Sequence, residues 1–186
     1  MTQTGKAKIF QTFTAVDLVT IAVFAAIYRA LWYVWHALAF IFPFNQVINT
    51  FFLCLAAVTA AVIVRKSLAM FLYAVAYGII NILLQGELLV TAAIDLSVSF
   101  LPVIYLASRV AAGDDPFVKP REMFIAGLLM ALTRTFINWL LFFPVFYQVN
   151  VGTQMTIVML IVSTIGGALG GAVGYALGNR IKGLIG

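Results

Sequence analysis

Long apolar runs separated by short polar breaks dominate the chain. A helix needs about 20 apolar residues to cross about 30 Å of hydrocarbon, and six runs approach or exceed that length. A transmembrane β-barrel would instead show segments of about ten residues in which apolar and polar residues alternate. The continuous apolar runs lack that alternation. The pattern therefore predicts an all-α integral membrane protein, a six-transmembrane-helix bundle that forms a single domain over residues 1–186. The predicted spans are 17–42, 47–64, 67–85, 88–111, 122–146 and 154–177.

The composition supports a membrane protein. Hydrophobic residues make up 64% of the chain and charged residues only 9%, whereas soluble domains carry about 25% charged residues. Too few polar side chains remain to cover a soluble protein of this size. An ordinary soluble enzyme, a disordered chain and a disulfide scaffold are thereby excluded, the last because the chain has one cysteine.

The basic residues predict the orientation of the bundle. With six spans, nine of the 11 Lys and Arg residues fall on one side, and the loops on the other side, 43–46, 86–88 and 147–153, contain none. The positive-inside rule then places both termini in the cytoplasm. The net charge of +5 is thus explained by topology, and no nucleic-acid partner is expected. The nine residues are Lys6, Lys8, Arg65, Lys66, Arg109, Lys119, Arg121, Arg180 and Lys182.

Four predicted spans place a charged or amide side chain in one layer of the membrane. At about 1.5 Å per residue, Arg29, Asn81 and Arg134 lie roughly 18–21 Å from the cytoplasmic face. Asp95, on a span that runs the other way, lies about 12 Å below the outer face. Ionisable residues inside a membrane are costly and are functional candidates by default.

The helical spacing of these residues predicts a binding pocket that opens to the outside. Further polar and aromatic side chains share their helix faces at i,i+4 or i,i+7 spacing. Such faces must point into the bundle, because lipid offers no hydrogen-bond partners for their polar groups. A flat heterocycle would stack on the rings while amides and charges bind its edge. A structural role is the alternative, with Asp95 pairing with Arg29 or Arg134 to hold helices together. The candidate pocket residues are Arg29, Tyr33, His36, Tyr77, Asn81, Gln85, Asp95, Arg134 and Asn138.

The chain lacks the motifs of an enzyme. It contains no G-x-x-x-x-G-K-[ST], H-E-x-x-H or G-x-S-x-G. His36 is the single histidine, and Cys54 lies on another predicted helix, so neither a metal site nor a cofactor is expected. No catalytic residue is predicted.

Small residues recur every fourth position in two spans. In the last span Gly166, Gly170, Gly174 and Gly178 form a stripe that Gly167 and Gly171 widen, which favours close packing inside the bundle. In the first span Ala22, Ala26 and Ala30 repeat the spacing. Ala22 and Ala26 lie below the polar layer, on a surface that suits a partner helix.

The length, six spans, internal termini, Ala-x-x-x-Ala and outer pocket resemble the substrate-binding S-component of energy-coupling-factor (ECF) vitamin transporters. The stretch from "IVRKSLAMFLYAVAYGIINILLQGE" through "VIYLASR" resembles the thiamine/hydroxymethylpyrimidine group. The resemblance to this group implies, at the position of Asn81, an acid that would contact a cationic thiazolium. The asparagine found there leaves neutral pyrimidines and other small vitamins open as substrates.

The resemblance implies a receptor for a small vitamin-like molecule in the plasma membrane of a prokaryote. Its partners would be the lipid bilayer, a transmembrane coupling subunit that docks on Ala22, Ala26 and Ala30, and two ATPase subunits. Two alternatives remain open. One is a stand-alone secondary transporter with Asp95 as the coupling carboxylate, and the other is a membrane assembly subunit that binds no ligand.

Overall fold

The computed structural model describes residues 12–38, 44–85, 93, 95–146, 148 and 152–185. Within these ranges the chain forms helices and turns and no β-strand. Three short elements accompany six longer helices: a 3₁₀ turn at Pro116–Val118, a π-helical segment at Ile137–Phe142 and a helical turn at Phe143–Phe146. The longer helices are α1 (Ala15–Leu38), α2 (Phe44–Val64), α3 (Ala69–Gln85), α4 (Phe100–Ala111), α5 (Pro120–Phe136) and α6 (Thr153–Ile185).

Four helices of the described chain are long and apolar enough to cross a membrane. They are α1, α2, α6 and α5 together with the start of the π-helical segment. The apolar helix α3 has 17 residues and is shorter. Residues 39–42 of the first predicted span and residues 88–92 and 94 of the fourth lie outside the described residues. The helical bundle is therefore confirmed, and the six-span count and the cytoplasmic termini stay predictions.

The start of α1 is fixed by a reciprocal cap. The Asp17 amide donates to Thr14 Oγ1 at 3.2 Å, and the Thr14 amide donates to Asp17 Oδ2 at 2.8 Å. This pairing satisfies backbone donors that the first helical turn leaves free. Asp17 also pairs with Lys66 Nζ at 2.5 Å, so the beginning of α1 is tied to the chain just after α2.

The glycines of α6 allow two helices to approach it closely. A Cβ added to Gly170 would lie 2.4 Å from Phe51 O on α2, and one added to Gly171 would lie 2.6 Å from Met123 O on α5. Helix α6 accordingly makes the most extensive helix–helix contacts of the fold, with α2 on one face and α5 on another. The predicted packing of the glycine stripe inside the bundle is confirmed.

Ion pairs gather at the end of the bundle where α2 and α4 finish and α5 begins. Lys119 lies 3.0 Å from Asp114 and, with Arg109 nearby, holds the pKa of that carboxyl below its ordinary value. Gly113 turns the chain after α4 with φ of +84°, a conformation that glycine adopts without strain. These contacts bring together charged residues that the topology prediction assigns to one side. The remaining pairs are Arg65–Asp115, Arg109–Asp114 and Arg109–Glu122.

Candidate functional site

Arg29 lies buried on α1 with 2% of its surface exposed. Its Nη1 donates to the Tyr77 hydroxyl at 3.5 Å. The guanidinium carbon lies 4.2 Å from the ring centre of Trp32, 5.0 Å from that of Tyr33 and 5.8 Å from that of Tyr77. Aromatic faces attract a cation at such distances. Nε and Nη2 of Arg29 have no hydrogen-bond partner within the described structure, so the guanidinium retains donors for a further group.

Asn81 and Asp95 form a second polar contact next to Tyr77. The Asn81 amide nitrogen donates to Asp95 Oδ2 at 2.8 Å. Asn81 is 1% exposed, and its Oδ1 is buried without a partner among the described side chains and backbone. The amide therefore holds the carboxylate with one end and presents a free acceptor with the other.

Arg134 on α5 completes this arrangement. Asp95 and Arg134 line one cavity together with Tyr73 and Tyr77. The cavity leaves about 10 Å³ for the centre of a water molecule, which is space for about one water. A heterocycle enters only if side chains move apart. We call these six residues the polar cluster: Arg29, Tyr73, Tyr77, Asn81, Asp95 and Arg134.

Two buried tyrosines, Tyr73 and Tyr28, are not among the residues predicted from the sequence. Tyr73 is fully buried, and its hydroxyl has no partner in the described part of the chain. Its position four residues before Tyr77 and eight before Asn81 places all three on one helix face, a signal that was present in the sequence. Tyr28 is also fully buried and donates to Asn49 Oδ1 at 2.7 Å. No pattern in the sequence predicts that hydrogen bond.

An open groove of about 410 Å³ runs between α1 and α3. Ala26, Arg29, Ala30 and Tyr33 line it from α1, with Ile80, Leu83 and Leu84 on α3. Ala22, Ala26 and Ala30 are all exposed. The alanine face thus points out of the bundle, where a partner helix has access to it.

His36 and Asn138, two further predicted site residues, make none of the described contacts that define the polar cluster. His36 is exposed, its Nδ1 donates to the Trp32 carbonyl at 3.0 Å, and its ring stacks on Trp32 at 3.8 Å. Asn138 is half-buried in the π-helical segment. Gln85 ends α3, and its side chain lies outside the described part. Among the described residues no three of His, Cys, Asp and Glu converge as metal ligands do.

Comparison with known proteins identifies the fold. No family model matches the chain, and no curated protein matches it. A solved crystal structure of an S-component of an ECF transporter superposes with a TM-score of 0.68. The match covers 94% of this chain and 86% of that chain at 18% sequence identity. The chain therefore has the fold of an S-component, as the resemblance in sequence predicted.

Proposed function

We propose that the protein is the membrane-embedded substrate-binding subunit, the S-component, of an ECF-type importer. It captures a small heterocyclic vitamin or precursor, thiamine-like or pyrimidine-like, at the outer face of a prokaryotic plasma membrane. The observation that carries this proposal is a buried and incompletely partnered polar cluster inside a helical bundle with the S-component fold.

A ligand explains the free polar atoms of the cluster. Leaving a buried donor or acceptor without a partner costs about 1–3 kcal/mol. Arg29 Nε, Arg29 Nη2, Asn81 Oδ1 and Arg134 Nη1 are all in that position among the described residues. A heterocycle with polar edges supplies their partners, and the rings of Tyr73 and Tyr77 offer faces on which it stacks.

ATP-driven delivery into the cell requires partners, because the chain has no G-x-x-x-x-G-K-[ST] motif of its own. The exposed Ala22 and Ala26 provide a small-residue face that permits close approach of a helix in lipid. The transmembrane coupling subunit docks there, and two ATPase subunits drive reorientation of the whole bundle. His36, Gln85 and Asn138 belong to the outer rim of the pocket in this proposal.

Native mass spectrometry of the protein, purified in a mild detergent, tests the proposal. We expect a small heterocyclic molecule bound to the wild-type protein and a clearly lower occupancy of that molecule in Arg134→Met, with Arg180→Met as the control at an exposed position of α6. A protein that never holds a small molecule yet still assembles with membrane partners would instead be an assembly subunit. Substrate uptake by this chain alone in liposomes would identify a secondary transporter.

A further inference from the structure

We infer that the polar cluster selects a heterocycle without a permanent positive charge, one that presents acceptors to guanidinium groups and an N–H group to Asn81. This inference rests on the proposed function and names the substrate class. The described residues of the cluster carry two guanidinium groups, on Arg29 and Arg134, and one carboxylate, on Asp95. A cationic ligand would add a third positive charge in a buried site, where repulsion between like charges is weakly screened.

The aromatic rings of the site already hold a cation. Recognition of a quaternary nitrogen typically uses a cage of aromatic faces. Here the rings of Trp32, Tyr33 and Tyr77 surround the Arg29 guanidinium at 4.2–5.8 Å. A thiazolium or other quaternary ring would have to displace Arg29 from these faces. A neutral ring would leave that arrangement intact.

The free hydrogen-bonding atoms specify the complementary edge of the ligand. Arg29 Nε, Arg29 Nη2 and Arg134 Nη1 are donors, so they require ring nitrogens, carbonyl oxygens or a carboxylate. The orientation of the Asn81 amide follows from its bond to Asp95, because the reversed amide would place an oxygen against the carboxylate. Its free Oδ1 therefore accepts from an amino or ring N–H group. An aminopyrimidine edge carries this combination of acceptors and one donor.

The charge of the bound molecule tests the inference directly. Native mass spectrometry identifies the co-purified ligand, and isothermal titration compares 4-amino-5-hydroxymethyl-2-methylpyrimidine with thiamine, which carries the same pyrimidine attached to a quaternary thiazolium. We expect a neutral or anionic co-purified ligand and binding of the pyrimidine at least about tenfold tighter than that of thiamine. A co-purified permanent cation, or tighter binding of thiamine, overturns the inference and leaves the proposed function standing. A protein that binds no molecule in either measurement overturns both.

Two variants test the role of Arg29. Arg29→Met removes one positive charge and frees the three aromatic faces, so we expect the ratio of the two affinities to shift toward thiamine by about tenfold or more. Arg29→Lys keeps the charge and is expected to keep the preference for the neutral pyrimidine, and Arg180→Met serves as the control with an unchanged ratio. Arg134→Met is titrated alongside them, with the same shift expected, in case Arg29→Met does not fold. An unchanged ratio in folded Arg29→Met or Arg134→Met overturns the inference.

Discussion

Asn81 donates a hydrogen bond of 2.8 Å to Asp95 and so joins α3 to the segment that precedes α4. Both residues belong to the layer that the sequence places at one depth of the membrane. The bond uses one end of the amide and one oxygen of the carboxylate, and it lies beside the cavity that Arg134 also lines. In the proposed site, the stability of the fold and the binding of a ligand therefore depend on the same two side chains.

We expect Asp95→Asn to weaken folding and binding together. Asparagine keeps the shape of the side chain and can still accept from Asn81, but it removes the charge that compensates the buried guanidiniums. Removing one partner of a buried ion pair costs about 3–5 kcal/mol in soluble proteins, and single interhelical hydrogen bonds in membranes are worth about 0.6 kcal/mol on average. We therefore expect a clearly lower melting temperature and at least about tenfold weaker ligand binding.

Thermal unfolding and titration of purified Asp95→Asn measure both effects. Asp114→Asn, which changes a carboxylate at the opposite end of the bundle, is the control and should bind ligand normally. Wild-type binding by Asp95→Asn would show that Asp95 does not belong to the pocket.

The packing of α6 predicts a sharp difference between two glycines. A Cβ on Gly171 would lie 2.6 Å from Met123 O, whereas a Cβ on Gly183 in the same helix would meet nothing within 4 Å. Gly171→Ala should therefore destabilise the protein by about 1–3 kcal/mol through overpacking. Gly183→Ala should be neutral or stabilise the helix by up to about 1 kcal/mol. Unfolding of the two variants in the same detergent compares them, and equal stabilities would contradict the packing described here.

Substitutions on the alanine face should separate binding from transport. Ala22 and Ala26 are exposed, so Ala22→Trp and Ala26→Trp are expected to leave the fold intact. In cells that contain the full complex, either variant should abolish uptake, because a bulky side chain prevents close approach of a partner helix. Ligand affinity of the isolated Ala22→Trp protein should stay nearly unchanged, since Ala22 lies one helical turn below Ala26 and does not line the groove that Arg29 lines.

The matched control for the alanine face is Ile27→Trp. Ile27 is 43% exposed on the same helix but is turned by about 100° from Ala26, so uptake should persist. Parallel loss of binding and uptake in Ala22→Trp would argue against docking at this face. Unchanged uptake in both alanine variants would show that the face contacts lipid.

The predicted orientation places the loop after α4 in the cytoplasm and the chain before α6 outside. In a Cys54→Ala background, a cysteine replacing the exposed Ala112 should react with a membrane-impermeant maleimide only after the cells are opened. A cysteine replacing the exposed Gln148 should react in intact cells. The reverse pattern of labelling would invert the topology.

The sequence predicted the helices well because apolar length is a direct physical requirement of the bilayer. It placed the last span at 154–177, whereas α6 extends to Ile185. Hydropathy detects where apolar residues end, and the helix continues through Asn179, Arg180 and Lys182 beyond that point. The π-helical segment at Ile137–Phe142 was not predicted, because the periodicity of the side chains does not reveal the pattern of backbone hydrogen bonds.

The candidate site was predicted in part. The contacts Arg29–Tyr77 and Asn81–Asp95 follow from the common depth of these residues. The position of the Arg29 guanidinium among Trp32, Tyr33 and Tyr77 does not, because a long flexible side chain reaches several neighbours from one backbone position. Tyr73 was missed although it shares the face of Tyr77, since a tyrosine deep in an apolar helix resembles ordinary core packing.

The two glycine faces of α6 distinguish two parts of the bundle. They allow α2 and α5 to pack against α6 backbone to backbone, so these three helices form the most closely packed part of the described bundle. Arg134 comes from that part, while Arg29, Tyr77, Asn81 and Asp95 come from α1, α3 and the segment before α4. In the proposed site, a ligand held between Arg134 and the other residues links these two parts of the bundle. By thermodynamic linkage, a ligand at one hundred times its dissociation constant would raise the free energy of unfolding by about 2.7 kcal/mol.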